Sequence, residues 1–163
     1  MNIRIFGLLF IFVSAVSAAF SASPSGLVPD IYEIMQSGDS VKINAALANL
    51  EKSAAKEKDA YRGTLLMQKS EMLKSGMEKL SLFKQGRKLL ETSIKQDSSN
   101  VEYRFLRLMI QEKAPDFLNY HSKKEEDAGM IRKYYSTLPA NIMEAINKYS
   151  KKSNILKPED FQK

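Results

Sequence analysis

From residue 31 onward the apolar positions recur in steps of three and four, and no stretch sustains the alternation of two that a half-buried strand requires. Ile31, Ile34 and Met35 make one short stripe, stopped by Gly38. Asp39 and Ser40 then offer cap oxygens to a helix predicted over 41–56, in which Ile43, Ala46, Leu47, Leu50 and Ala54 share a face. A turn near Lys56 to Asp59 separates it from the stripe of Tyr61, Leu65, Leu66, Met72 and Leu73, which Ser75 and Gly76 are expected to end. The fourth stripe is the most regular: Leu82, Phe83, Gly86, Leu89, Leu90, Ser93 and Ile94. A glycine inside a helix costs about 1 kcal/mol relative to alanine, so Gly86 at the centre of this stripe predicts a second helix crossing close against it.

Asp97 to Asn100 read as a turn, and Val101 to Gln111 as a helix with an unusual face. At 100° per residue its apolar side chains cover an arc of roughly 220°, about twice that of an ordinary surface helix, which makes it the predicted centre of the fold. Arg104, Arg107 and Gln111 occupy the narrow stripe that remains, and Glu102 sits in the first turn, where its charge suits the helix N-terminus. Two uses of that stripe are open. The arginines can pair with acids such as Glu125, Glu126 or Asp127 on a neighbouring helix while their stems pack on apolar surface. Alternatively they can line a groove and hold a partner's carboxylate or phosphate by bidentate contacts. On the second use, Arg104, Arg107 and Gln111 are the candidate partner-binding residues.

Ala114 and Pro115 stop the central helix, and Pro115 can open a short one carrying Phe117, Leu118 and Tyr120. Ser122 with Glu125 reads as a capping box before a helix presenting Ile131, Tyr134, Tyr135 and Leu138, the two tyrosines being expected in the core. Pro139 ends it, and Asn141 with Glu144 repeats the cap before Ile142, Ala145, Ile146 and Tyr149. The chain is therefore expected to be all-α, as antiparallel helix pairs stacked in a short superhelix or as an irregular bundle.

The first residues change the picture of where such a fold works. Arg4 precedes the apolar block Ile5 to Val13, which runs into Ser14, Ala15, Val16, Ser17, Ala18 and Ala19, the three parts of a secretory signal peptide. Cleavage is expected after Ala18 or Ala19. Ile5 to Phe20 is 16 residues, short of the roughly 20 apolar residues of a spanning helix. The expected organisation is a signal peptide over 1–19, a flexible leader over 20–29, one helical domain over 30–156 and a C-terminal tail over 157–163, with a periplasmic or secreted destination.

The chain has no cysteine, which removes disulfides, a lipid-accepting residue after the signal and thiolate metal sites. The roughly 144 residues after the signal can bury an adequate core without staples. With one histidine, His121, no His pair exists for a metal, and no Gly-x-Ser-x-Gly elbow accompanies it for a triad. The seven glycines are dispersed, so no phosphate-cradling loop forms. Consecutive acids Glu125, Glu126 and Asp127 point in different directions and read as compensating a helix dipole. No cofactor or metal is expected. A hydrolase would need acids from separate helices, such as Glu71 or Glu91 with Glu126. The formal charge of +6 is interleaved with acids, unlike the one-sided patch of a nucleic-acid binder. Lys148, Lys151 and Lys152 form a short basic run suited to anionic lipid or glycan.

Gly86, Leu90, Ser93 and the turn Asp97 to Asn100 resemble the second helix and exit turn of a tetratricopeptide-like repeat. The likeness extends over about residues 41 to 113. It departs from the family at Ser98, where proline is usual, at Gly76 to Lys79, which reads as an insertion, and in lacking a second copy at a 34-residue period. The resemblance implies a superhelical stack whose concave face holds peptides or partner proteins. The chain after the signal also resembles exported bacterial helical proteins, a likeness that carries no site residues. Together these readings make the expected function a non-enzymatic exported scaffold or adaptor for a protein or peptide partner, with binding of an anionic envelope surface by the C-terminal lysines as the alternative.

Overall fold

A computed structural model describes residues 31–162; the expected signal peptide, its cleavage bond and the leader lie outside the described residues. Among the described residues there are seven α-helices and no strand: α1 Ile31–Ser37, α2 Ser40–Glu51, α3 Lys58–Ser70, α4 Gly76–Gln96, α5 Val101–Gln111, α6 Lys124–Tyr134 and α7 Ala140–Ser150. The chain is all-α, as its periodicity predicts.

Local chemistry sets most boundaries. Gly38 ends α1 in the left-handed region at φ +63°, and the Asp39 carboxylate accepts from the Val41 and Lys42 backbone N–H groups at 2.8 and 3.2 Å, starting α2. That helix stops at Glu51, short of 56, because the Ser53 hydroxyl accepts from the Ala55 N–H and turns the chain; Ala54 is left exposed. Ser75 has the opposite role to the one expected: α3 has already ended at Ser70, and Ser75 accepts from the Glu78 N–H as the cap of α4. Gly76 to Lys79 is thus the first turn of a 21-residue helix. Asn100 caps α5 through the Tyr103 N–H.

Two predicted caps do not form. Lys123 precedes α6 with no side-chain cap, leaving Ser122 one residue too far out, and the acids of the first turn compensate the helix dipole instead. Pro139, with its φ already fixed, precedes α7, so Asn141 lies inside the helix.

From α1 to α6 each helix packs on the next, most extensively α3 on α4 and then α5 on α6, while α1 and α5 also pack on α3. The α3–α4 crossing brings Gly63 against Gly86: a Cβ on Gly63 would lie 2.6 Å from the Gly86 carbonyl oxygen and 2.8 Å from the Leu90 nitrogen. Helices distant in the chain meet through aromatic rings, Phe105 of α5 standing 5.4 Å from Tyr32 of α1 and 5.6 Å from Tyr149 of α7. All eleven residues of α5 are buried.

The C-terminal residues as far as 162 are not a loose tail. Pro158–Phe161 forms a 3-10 turn in which Asp160 accepts from Arg132 Nε at 2.9 Å, and Phe161 packs 4.6 Å from Tyr135. Tyr135 is thereby partly covered, whereas Tyr134 is exposed beneath Lys133 and does not join the core.

Candidate functional site

The polar stripe of α5 is closed over by α6. Arg104, Arg107 and Gln111 are 8%, 3% and 2% exposed, and Asp127 of α6, at 0%, pairs with both arginines. Arg107 donates Nε and Nη2 to the two Asp127 oxygens at 2.7 and 2.6 Å, a bidentate pair, and Nη1 to Glu91 at 2.8 Å. Arg104 donates to Glu126, Asp127 and the Ser98 carbonyl. Desolvation works to lower the Arg107 pKa, but the hydrogen bonds and charges of Asp127 and Glu91 outweigh it and hold the guanidinium protonated. Of the two uses open to the stripe, the structure adopts internal pairing. The donors expected to receive a partner's anion are occupied by the protein's own carboxylates. Among the described residues, Arg104 Nε and Gln111 Oε1 have no hydrogen-bond partner.

The same network takes up two of the three acids considered for hydrolysis, Glu91 and Glu126, while Glu71 lies apart from it. Glu91 accepts from Arg107 and, at 2.7 Å, from the Tyr120 hydroxyl; Glu126 accepts from Arg104 and from Lys123. His121 Nδ1 lies 3.9 Å from an Asp116 oxygen, beyond hydrogen-bonding distance. Among the described residues no group of three His, Cys, Asp or Glu side chains is placed to hold a metal ion.

A second polar cluster ties α1, α3 and α5 together. Tyr32 and Tyr61 both donate to Glu102 Oε1, at 2.6 and 2.7 Å. Burial raises the Glu102 carboxyl above the usual carboxylate range, the two hydroxyls working in the opposite direction. Glu102 therefore does more than complement a helix dipole: it is the joint on which the first helix docks.

The feature left open to solvent lies at the other end of α3. A cleft of about 450 Å³ opens between the α3–α4 elbow and the 3-10 turn Asp116–Leu118, walled by Phe83, Leu80, Phe117, Leu118 and the polar Glu71 and Lys79. Its apolar lining is partly uncovered: Phe117 is 78% exposed and Leu80 38%, while Met77, one turn before Leu80 on α4 and outside the lining, is 84% exposed. Phe83 forms the inner wall, edge-on to Tyr120 at 5.7 Å. Burial pushes the Glu71 carboxyl upward, against the opposing charges of Lys113 and Lys79. Lys113 also acts on the C-terminal basic run. Desolvation first, then Lys113 and Lys148, hold the Lys152 ammonium below its ordinary value. Lys148, Lys151 and Lys152 are all exposed, as expected of a solvated helix end.

Sequence reasoning missed this cleft. The expected short helix carrying Phe117, Leu118 and Tyr120 is a three-residue turn, in which Leu118 packs against the core and Phe117 is left exposed. Met77 and Leu80 did carry a signal. At 100° per residue they fall outside the stripe centred on Gly86 and Leu90, Met77 nearly opposite to it, so α4 has apolar side chains on a face its core packing does not use.

No protein-family model, curated protein or solved structure matches the chain.

Proposed function

We propose that the protein is an exported, non-enzymatic helical module that binds a protein or peptide partner, and that the partner docks at the cleft between the α3–α4 elbow and the 115–118 turn. The observation that carries this reading is Phe117, a large apolar side chain 78% exposed at a 450 Å³ cleft whose wall includes Leu80, itself 38% exposed. Contiguous apolar surface left in water is disfavoured in a monomer and marks contact sites, and a cleft of this size is within the usual range for ligand sites. The non-enzymatic part rests on the commitment of Glu91, Glu126 and Asp127 to arginines. Export rests on the residue pattern of 1–19. A tetratricopeptide-like stack is favoured by the packing order of α1 to α6, in which each helix touches the next and α3 also meets α1 and α5. Tyr32, Phe105 and Tyr149 are buried against one another and are not offered to a partner.

The test is a photoreactive amino acid placed at 117 in the full-length protein in cells, with Asn44 on the exposed side of α2 as control position. A discrete polypeptide adduct at 117, absent at 44 and lost with Leu80→Asp, is the expected result. Equal labelling at both positions would remove the cleft from consideration.

A second reading is binding of anionic lipid or glycan through Lys148, Lys151 and Lys152. It is favoured by the crowding of positive charge at Lys152 and requires binding that weakens steeply with salt.

A further inference from the structure

We infer that the surface on which α1 sits is also an interface between copies of this chain: two molecules exchange their first helices, each α1 docking on the α3 and α5 of the other. The exchange uses none of the cleft residues. What the seat requires is visible from its present occupant. Ile31, Tyr32 and Met35 are all buried there. The Tyr32 ring stands 5.4 Å from Phe105, and its hydroxyl donates to the Glu102 oxygen that also accepts from Tyr61. An emptied seat would expose Phe105 and leave a buried carboxylate short of one of its two tyrosine donors. Its occupant must bring a phenol hydroxyl with large apolar side chains one residue before it and three after, and the α1 of a second copy does so by identity.

The connection to α2 is built to open. Only Gly38 and Asp39 lie between the two helices, Gly38 at φ +63° and Asp39 extended at φ −76°, ψ 113°. The bonds across the turn are exposed: the Asp39 N–H donates to Ser37 Oγ at 3.2 Å, and Lys42 lies 3.5 Å from Glu33. A surface ion pair of this kind contributes little. Rotation of two residues into the helical region joins α1 and α2 into one helix from Ile31 to Glu51.

That longer helix would have a single apolar face. At 100° per residue, Ile31, Tyr32 and Met35 of α1 and Ile43, Leu47 and Leu50 of α2 all fall within an arc of about 160°. A straightened α1 therefore carries its stripe beyond the edge of its own molecule on the side α2 already buries. Asp39 falls on the same arc, in the stretch that would bridge the two copies through solvent. Because each copy both gives and receives a helix, the exchange closes with two-fold symmetry and leaves no seat open to extend into a fibre.

The experiment uses the full-length protein and two readouts. Light scattering over a range of concentrations gives the monomer–dimer equilibrium of wild type, Gly38→Ala and Gly38→Asn. The second readout exploits a chain that has no cysteine. Isotope-labelled Glu33→Cys is mixed with unlabelled Lys42→Cys and treated with a short bismaleimide, both positions being exposed and facing each other across the turn. In the exchanged dimer, residue 33 of one copy lies beside residue 42 of the other, so a bridge should form between labelled and unlabelled chains. A Cβ at Gly38 meets nothing within 4 Å, so alanine acts through the backbone alone, opposing the left-handed turn and favouring the continuous helix. Gly38→Ala should strengthen dimerisation about tenfold or more, and asparagine, which tolerates the left-handed region, should do so less. Circular dichroism and thermal midpoints check that each variant is folded. A wild type that stays monomeric at every concentration overturns the exchange, as does a Gly38→Ala that pairs no more tightly than wild type or than Gly38→Asn. A dimer without the bridge from 33 to 42 also overturns it, and assigns pairing to another face.

Discussion

Asp127 shows how one residue can decide the meaning of several others. Three consecutive acids diverge by 100° steps around a helix, so when α6 packs on α5 one of them must turn inward. Asp127 does so, and the two arginines that looked available from sequence become its partners. The pair is fully desolvated on the acid side, and removing one member of a buried pair typically costs about 3–5 kcal/mol because the other charge remains. Asp127→Asn should therefore lower stability by about 3 kcal/mol in urea titration, and an Arg107→Met/Asp127→Leu double variant should recover most of the loss. A loss below about 1 kcal/mol would mean that Glu91 and Glu126 already neutralise both arginines. Glu102 supplies a second residue-scale prediction, with a definite sign. Its carboxyl is raised by burial, so the folded state binds its proton more readily than the unfolded chain, whose glutamates titrate near 4.3. The stability contribution tied to that proton is complete below the unfolded value and is lost as pH rises through the folded one. Stability of wild type relative to Glu102→Gln should thus fall as pH rises above the unfolded value of about 4.3; a flat difference would show that the folded and unfolded carboxyls titrate together.

At the scale of elements, helices and their faces were legible because the apolar period is a property of neighbouring residues. Gly86 even announced a close crossing. Its counterpart Gly63 did not, since it lies among Tyr61, Thr64 and Leu65, where a small residue has no meaning until the second helix is in place. The two glycine environments in the helices make a paired prediction. At Gly63 a Cβ meets the backbone of α4, which cannot move aside, so overpacking of about 1–3 kcal/mol exceeds the gain of up to about 1 kcal/mol from helix propensity. At Gly129, inside α6, a Cβ meets nothing within 4 Å. Gly63→Ala should lower the urea midpoint and Gly129→Ala should raise it by the equivalent of about 0.5–1 kcal/mol. Equal shifts of the same sign would show that propensity alone governs both. Helix ends were read less well. Ser75, read as the end of the third helix, is instead the cap of α4, while Ser122 and Asn141, read as caps, leave those positions to Lys123 and Pro139.

For the whole molecule, the wide apolar arc of Val101 to Gln111 correctly placed α5 at the centre, whereas the cleft escaped notice because it is formed by segments up to 48 residues apart, from Ser70 to Leu118. Centrality has a dynamic consequence. Helix α5 pairs with α6 through Arg104 and Arg107, meets α1 and α7 through Phe105, and receives Tyr61 of α3 at Glu102. Its amides cannot reach solvent unless these contacts open together. Helix α1 has seven residues, too few to persist undocked, and its link to Glu102 is a single tyrosine hydroxyl, helped by the burial of Ile31 and Met35. It can therefore detach while the rest of the fold stays closed. Native-state hydrogen exchange should find α5 amides opening only with the free energy of global unfolding, and α1 amides exchanging at least about tenfold faster through local opening. Glu102→Gln should accelerate α1 further while leaving α5 tied to global stability. If α1 and α5 instead exchange together, the Tyr32–Glu102–Tyr61 joint is part of one cooperative core, and α1 belongs to the centre of the molecule and not to its edge.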